Sequence, residues 1–252
     1  MKDGNILVEV RGLCYSYGER QAVRDAAFTI LEGEIFGFLG PNGAGKTTTI
    51  SCLSGLLADW RGEMRFQDQP FHPANRVRDR RKLGVVPQEI ALYEELTGRE
   101  NLDFFASLSG LNAAQRAESV GQALDLAGLT ERANDRVKQY SGGMKRRLNL
   151  VAGDLHQPEL LLLDEPTAGV DPQSRNHIFE ALLKIRKSGR TLLYTTHYME
   201  EAEKLCDRVA IIHEGTIIAI GTSGELSTKA GIPGANLEEV FLELTGRGLR
   251  DP

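Results

Sequence analysis

A run of nine residues, from Gly40 to Thr48, contains the residue types that bind phosphate groups. The run fits the pattern G-x-x-x-x-G-K-[ST], in which glycine N–H groups surround phosphate oxygens. The lysine can reach the β- and γ-phosphates, and the first threonine hydroxyl can bind Mg²⁺. The sequence therefore predicts a site for a nucleoside triphosphate, formed by Gly40, Pro41, Asn42, Gly43, Ala44, Gly45, Lys46, Thr47 and Thr48.

Two carboxylates follow the apolar segment Leu160–Leu163, which is typical of a buried strand. Ligands bind at the carboxyl ends of the strands in parallel sheets. Asp164 is suited to hold Mg²⁺ there, and Glu165 is suited to deprotonate the attacking water. The alternative is a charged strand end followed by Pro166.

A second candidate anion site precedes the predicted helix Lys145–Asp154. A serine followed by two glycines (Ser141, Gly142 and Gly143) is in itself only a good helix N-cap, but it also offers a hydroxyl, N–H groups and a helix dipole to an anion. Two such sites in one chain suggest that two copies pair head to tail and share each nucleotide. The run Lys145-Arg146-Arg147 raises the local positive potential or is a solvated helix face, and the second interpretation is favoured.

Three further side chains lie where they could contact the nucleotide. His197 follows a strand that ends at Thr196 and is predicted to contact the γ-phosphate. Gln88 follows the strand Leu83–Val86 and is predicted to contact Mg²⁺ or the attacking water, which would make it a sensor of triphosphate. Tyr17 can stack on adenine, although it could also be an ordinary strand tyrosine.

Composition excludes several classes of protein. The formal net charge of −5 and the isoelectric point of about 5.6 argue against a broad nucleic-acid surface. Three scattered cysteines without a C-x-x-C pair favour free thiols in a reducing compartment. No apolar run approaches the ~18 residues of a membrane span, and the N-terminus has no apolar secretory core, so we expect a protein that is soluble by itself.

Hydrophobic patterns predict an α/β fold. Short strands are predicted near the N-terminus, a helix over Thr49–Leu56, and mostly helical structure from Tyr93 to Tyr140. Later apolar strands alternate with helices, which indicates a mostly parallel sheet with helices on both faces. The predicted early strands are Ile6–Val10, Leu13–Tyr17 and Ala27–Ile30.

Taken together, these residues resemble the ATP-binding cassette (ABC) transporter ATPases, in the family's order and over nearly the whole chain. The matching segments are the phosphate loop Gly40–Thr48, Gln88, the signature Ser141–Gly143, the acidic strand Leu160–Glu165, the D-loop Ala168–Asp171 and His197. The resemblance implies a P-loop NTPase core over residues 1–252, with an N-terminal antiparallel β subdomain, an inserted helical subdomain at about 90–155 and a C-terminal extension at about 222–252. It also implies ATP and Mg²⁺ as cofactors.

The resemblance further implies a dimer in which each ATP lies between one phosphate loop and the opposing signature. Asp171 would then communicate across a homodimer or a pseudo-dimer with a second ABC ATPase. An integral membrane permease subunit would be the other partner, contacted near Gln88 to Phe105, and would hold the protein on the cytoplasmic face of the membrane. The apolar and acidic residues there would receive the permease or simply pack the insertion: Ile90, Leu92, Tyr93, Glu94 and Glu95.

Three segments are similar to those of antibiotic-resistance and multidrug exporter ATPases: Leu96–Leu102, Thr195–Glu203 and Leu237–Thr245. Tyr140 stands where leucine is commoner, but Ser141–Gly143 carries the expected contacts. The alternative is a soluble ABC-type ATPase acting on ribosomes or DNA, although such proteins usually carry two cassettes, coiled coils or zinc inserts, and no nucleic acid is expected here. A nucleotide switch without turnover is disfavoured because Glu165 is present.

Overall fold

The computed structural model describes residues 4–246, which fold into alternating strands and helices. The strands are β1 (Ile6–Tyr17), β2 (Arg20–Leu31), β3 (Ile35–Leu39), β4 (Arg61–Phe66), β5 (Gln69–Pro70), β6 (Leu83–Val86), β7 (Leu160–Asp164), β8 (Thr191–Thr196), β9 (Arg208–His213) and β10 (Thr216–Gly221). The helices are α1 (Lys46–Ser54), α2 (Val77–Arg80), α3 (Gly98–Leu108), α4 (Ala113–Leu126), α5 (Gly142–Asp154), α6 (Pro172–Lys187), α7 (Met199–Leu205), α8 (Ser223–Lys229) and α9 (Leu237–Thr245). Within the described range, none of these helices has both the length and the apolar character needed to cross a bilayer. The chain divides into two compact units, the first ending at Arg80 and resuming at Thr191, the second spanning Arg81–Arg190.

The first unit contains an antiparallel sheet in the order β2-β1-β4-β5, which confirms the predicted antiparallel N-terminal sheet. The prediction of separate strands at Ile6–Val10 and Leu13–Tyr17 was wrong, because both belong to β1. The pairing register shifts between Val10 and Leu13, and Gly12 has a φ of 63° there. A bulge of this kind bends a strand without ending it, so the glycine does not separate two elements.

The first unit also contains the neighbouring strands β10, β9, β3 and β8. β3 runs parallel to both β8 and β9, whereas β10 is antiparallel to β9. Every residue of β3 and β8 is buried, which explains their continuous apolar sequences. The mostly parallel sheet of the prediction is therefore confirmed in this unit.

Helices α8 and α9 pack against the first unit through a core that includes Leu226, Val240 and Phe241. α8 was not predicted from the sequence, because its seven residues include a glycine and bury only Leu226 and Ser227. It is fixed instead by a local capping box between Thr222 and Glu225. These helices lie in the predicted C-terminal extension, of which residues 247–252 are outside the described range.

The second unit contains the parallel pair β6 and β7 together with α3, α4, α5 and α6. Capping boxes at Thr97 and Asn112 start α3 and α4, which share an apolar core with α5. Tyr140 lies in this core and its hydroxyl donates to the Arg132 carbonyl oxygen at 2.7 Å. The side chain is therefore part of the packing of this unit rather than an exposed contact.

Two helices begin earlier than predicted. α1 begins at Lys46 rather than at Thr49, and α5 begins at Gly142 rather than at Lys145. The first turn of a helix has N–H groups without intrahelical partners, so its start is set by the preceding cap or loop more than by helix propensity. Residues 46–48 and 142–144 are therefore helical, and their N–H groups lie at the N-termini of α1 and α5.

Asp154 and Arg190 form a largely but not fully buried ion pair within the second unit. Arg190 Nε lies 3.6 Å from Asp154 Oδ1, and each side chain is 14% exposed. That separation is too long for a good hydrogen bond, so the carboxylate is poorly compensated for its loss of water. Burial raises the pKa of Asp154 from 3.8 to about 6, although the Arg190 charge opposes the shift.

This pKa predicts how the stability of the protein depends on pH. Because the folded state holds the Asp154 proton more tightly than the unfolded state, ionisation destabilises the fold above pH 6, and the cost is relieved as the pH falls through 6 towards 3.8. Asp154→Asn removes this titration. Its free energy of unfolding relative to wild type should therefore be higher at pH 7.5 than at pH 5 by about 1.4 kcal/mol, measured by urea denaturation.

The matched control is Asp125→Asn, which neutralises an exposed carboxylate on α4 of the same unit. We expect the Asp125 variant to differ from wild type by the same amount at both pH values. The interpretation of the Asp154–Arg190 pair would be wrong if the two asparagine variants had the same dependence on pH.

Candidate functional site

The phosphate loop lies between β3 and α1, in the order that the sequence predicts. Gly45 immediately precedes the helix with a φ of 105°. A Cβ atom at this position would lie only 2.6 Å from the Ala22 carbonyl oxygen. Both the left-handed backbone and the lack of space require glycine, and they turn the chain so that the N-terminus of α1 faces the loop.

Lys46 points into its own loop. Its side chain is buried, and its Nζ donates hydrogen bonds to the carbonyl oxygens of Gly40 at 2.8 Å and Pro41 at 3.1 Å. A positive charge is therefore held at the centre of the predicted phosphate site. Thr47 is exposed on the first turn of α1, whereas Thr48 is buried.

The end of β8 lies beside the start of the phosphate loop. Leu39 of β3 pairs with Thr196 of β8 in parallel register, and the Gly40 N–H donates to the Thr196 carbonyl oxygen at 3.4 Å. His197 follows directly, is partly exposed, and has its ring centroid 4.0 Å from that of Tyr198. The structure thus brings His197 and the phosphate loop to one edge of the sheet in the first unit.

Tyr17 lies at the tip of the hairpin formed by β1 and β2. Its side chain is 53% exposed, and its ring contacts that of Tyr15 edge-on at 5.0 Å. Arg20 pairs with Tyr17 across the hairpin, and its Nη2 lies 3.7 Å from where a Cβ of Gly43 would be. The tip of the hairpin therefore approaches the phosphate loop. Arg20 was not predicted as a site residue from the sequence. Its position directly across the Gly18-Glu19 turn from Tyr17 could have indicated that it lies near the nucleotide site.

The second unit brings Gln88, Asp164 and Glu165 to one edge of its strand pair. Val86 pairs with Leu163 in parallel register, so the residues that follow both strands emerge on the same side. Asp164 and Glu165 are both buried. Glu165 has a φ of 44°, which is rare for a side chain of its size and sets its direction where the strand ends.

Ser141 and Asp171 each cap a helix in the second unit. The Ser141 hydroxyl accepts from the Met144 N–H at 3.3 Å, and the Asp171 carboxylate accepts from the N–H of Ser174 at 2.9 Å. This backbone hydrogen bond is the main cause of a lowered pKa of Asp171. The candidate signature serine and the D-loop aspartate are thus held in fixed positions by their own helix ends.

The starts of α5 and α6 are in close contact. A Cβ atom on Gly143 would lie 2.0 Å from Ser174 Oγ, so only glycine fits there. Gly142, in contrast, has no atom of residues 4–246 within 4 Å of the same position and is exposed together with Ser141. The exposed part of the signature is therefore Ser141 and Gly142, whereas Gly143 joins the two helix starts.

The interpretation of Lys145-Arg146-Arg147 as a solvated face was wrong. Arg146 is buried and donates to the carbonyl oxygens of Gln88 and Ala168, the second at 2.9 Å. Arg147 donates to the Ala127 carbonyl oxygen, and Lys145 forms an ion pair with Glu94. The three side chains point in different directions around α5, and each binds a different part of the unit. These partners cannot be recognised from a run of like charges in the sequence.

Arg146 and Asn149 were missed in the sequence analysis. Asn149 is buried, and its Oδ1 accepts from the Ala91 N–H at 3.1 Å. Helical spacing places these two polar residues on one face of α5, among apolar neighbours. The helical spacing of two polar residues was the signal in the sequence, and it identified neither their burial nor the loops that the two side chains bind.

Similarity to known proteins extends over most of the chain. The family described as ABC transporter matches residues 23–168. The linearmycin resistance ATP-binding protein LnrL of Bacillus subtilis is 43% identical over 97% of this chain and 76% of its own length. A Nod factor export ATP-binding protein I of Paraburkholderia xenovorans is 45% identical over 90% of this chain and 73% of its own length.

Solved structures show the same fold. The structure of an ATP-binding subunit of an ABC transporter has a TM-score of 0.85 and 32% identity, covering 95% of this chain and 99% of that one. The cbiO1 protein of Clostridium perfringens, part of the ABC transporter complex cbiONQ, has a TM-score of 0.80 and 27% identity over 89% of this chain and 92% of its own. With the phosphate loop, the acidic strand end and the signature turn in the positions described above, the chain belongs to the ABC transporter family as an ATP-binding subunit.

Proposed function

We propose that the protein hydrolyses ATP in order to drive export through a separate membrane permease. The placement of Glu165 beside Asp164 at the edge of the second unit carries the proposal, because a carboxylate there can serve as the general base of an ATPase. The direction of transport follows from the relatives named above, which are a linearmycin resistance protein and a Nod factor export protein.

Mg²⁺ would be held by the Thr47 hydroxyl, Asp164 and Gln88. The fit rests on their chemistry and exposure, because all three offer oxygen atoms and Thr47 is exposed on the first turn of α1. The buried Asp164 is the last residue of β7, which pairs with the strand that precedes Gln88, so the two residues lie at the same edge of the strand pair. When bound, Mg²⁺ neutralises charge on the phosphate oxygens.

The side chains of this chain would divide the work of hydrolysis. Lys46 and the N-terminus of α1 bind the phosphates, and His197 beside Gly40 contacts the γ-phosphate. Glu165 accepts a proton from the attacking water, and Gln88 orients that water or the metal. Tyr17 supports the adenine ring from the tip of the hairpin. Lys46 is held by hydrogen bonds within the first unit, and Glu165 is held at a strand end of the second. Groups that are held in advance in this way lower the barrier when they stabilise charge that develops in the reaction.

The exposed turn Ser141-Gly142 is proposed to complete the site of a second copy. Its hydroxyl and the N-terminus of the 13-residue helix α5 provide an anion site that lies at the surface. Two chains joined head to tail would place it against the γ-phosphate bound by the opposite phosphate loop, with Asp171 near the contact. Loss of the γ-phosphate after hydrolysis would then open the dimer.

Mixing two inactive variants tests this shared site. Ser141→Arg protein and Lys46→Ala protein should each hydrolyse ATP slowly. In a mixed dimer, one composite site keeps an intact phosphate loop and an intact signature, so we expect a measurable part of wild-type turnover to return. Phosphate release measured against the mixing ratio checks this prediction, with each variant at doubled concentration as the control. Absence of any recovery, under conditions in which mixed dimers form, would contradict shared sites.

The permease is proposed to contact the segment from about Gln88 to Phe105. Tyr93 and Phe104 are partly exposed, and their rings pack edge-on at 5.0 Å beside Phe105. Glu94 and Glu95, in contrast, form ion pairs within the unit, so the apolar residues are the better candidates for the contact. Such a contact would place the protein on the cytoplasmic face of the membrane.

Co-purification distinguishes a transporter subunit from a soluble ABC-type ATPase. An integral membrane protein as partner supports the transporter subunit, whereas ribosomes or DNA as partner support the soluble ATPase.

A further inference from the structure

One face of α5 holds the segment that contains Gln88. Arg146 donates to the Gln88 carbonyl oxygen, and Asn149 donates to the Pro87 carbonyl oxygen at 3.4 Å while accepting from the Ala91 N–H at 3.1 Å. Both side chains are less than a tenth exposed. The backbone from Pro87 to Ala91 is therefore fixed to the helix that begins at the signature turn.

The same arginine also holds the segment that contains the D-loop. Its second terminal nitrogen donates to the Ala168 carbonyl oxygen at 2.9 Å. Ala168 is in turn bound to Glu165, because its N–H donates to the Glu165 carbonyl oxygen at 3.0 Å. One guanidinium thus links three segments that carry proposed site residues: the signature helix, the glutamine segment and the turn after the acidic strand.

The chemistry of arginine suits this link better than that of other residues. Its planar guanidinium carries several N–H donors in a fixed fork, so that two carbonyl oxygens in different segments can be bound at once. A lysine has one ammonium group and would not bridge them in the same way. Burial lowers the pKa of Arg146, which reflects the cost of removing the charge from water, and the nearby Glu165 carboxylate opposes the shift. A leucine would fill this place at lower cost if packing were its only purpose.

We propose that Arg146 is a positioning residue for ATP hydrolysis. Its two hydrogen bonds hold Gln88 and the turn from Glu165 to Ala168 in fixed positions relative to the signature helix. The inference rests on the proposed function, because it assigns Arg146 to the catalytic step of that same site. Arg146 acts through the two carbonyl groups. Its loss should therefore impair turnover while leaving nucleotide binding at the phosphate loop of the first unit intact.

The test compares Arg146→Met with Arg147→Met. Both variants remove a guanidinium from neighbouring positions of α5, but Arg147 donates to the Ala127 carbonyl oxygen of the α4 end rather than to the two candidate loops. We expect Arg146→Met to lower kcat about tenfold or more, because a misplacement of about 1 Å can cost about a hundredfold. The KM for ATP should stay within about threefold of wild type. Turnover is expressed per bound nucleotide, so that loss of folded protein does not enter the comparison.

A second variant, Arg146→Lys, retains the charge but not the fork, and it decides the question if the methionine variant does not fold. If both variants fold, we expect the kcat of Arg146→Lys to lie between those of wild type and Arg146→Met. If only Arg146→Lys folds, we expect its kcat to be at least threefold below that of wild type. The proposal is overturned if Arg146→Met turns over as fast as Arg147→Met, or if Arg146→Lys matches wild type when it alone folds. Failure of the proposed function looks different, because wild-type protein would then lack Mg²⁺-dependent hydrolysis.

Discussion

Replacing Glu165 by glutamine should lower ATP turnover by two to four orders of magnitude, the usual contribution of a general base. Glutamine has nearly the same shape as glutamate but cannot accept a proton from water. The variant should therefore still bind ATP, with an affinity within about threefold of wild type. Because the γ-phosphate would persist, dimers should accumulate with ATP and Mg²⁺. Phosphate release measures ATP turnover, and light scattering after size-exclusion chromatography measures the fraction of dimers.

The matched control is Glu159→Gln. Glu159 immediately precedes β7, whose other end leads to Glu165, and it forms an ion pair with Lys82 at 3.2 Å. The control removes the same charge next to the same strand, but at the opposite end of β7 from the proposed site. We expect its turnover to stay within about twofold of wild type. Near-normal turnover of Glu165→Gln would show that another group removes the proton.

Replacing Lys46 by alanine should weaken ATP binding by two orders of magnitude or more. The Lys46 ammonium is buried within the phosphate loop, where each charged hydrogen bond contributes about 1.5–3 kcal/mol. The substitution also removes the bonds from Nζ to the Gly40 and Pro41 carbonyl oxygens, so the loop loses an internal support as well as a charge. Titration with a fluorescent ATP analogue measures the loss directly.

Lys229→Ala is the control for this variant. Lys229 also donates to a backbone carbonyl oxygen, that of Ile220, within the first unit but in α8. Its removal should cost a similar hydrogen bond without changing the affinity for ATP. An unchanged affinity in Lys46→Ala protein, shown by thermal unfolding to be folded, would remove the assigned role of Lys46.

The phosphate loop, the acidic strand end and the N-cap at Ser141 could be recognised in the sequence because their parts are adjacent along the chain. A strand, a glycine turn and a helix follow one another within Ile35–Ser54, and the Ser141 cap joins residues only three positions apart. Buried strands such as β3 and β8 were recognisable for the same reason. The predicted boundaries of β1 and α1 were wrong because local signals compete there, and α8 was missed because few of its residues are buried.

Only the tertiary structure could decide which partners the charged side chains bind. Arg146 reaches Gln88 and Ala168, Arg20 lies beside Gly43, and Asp154 faces Arg190, in each case across a stretch of chain that carries no pattern linking the two positions. The run Lys145-Arg146-Arg147 looks like a solvated surface because a sequence lists charges but not their burial. The sequence by itself therefore determined the family, the fold class and the residues proposed for chemistry. The fold decided how these residues are held, because hydrogen bonds and desolvation depend on distances that arise only when remote segments pack together.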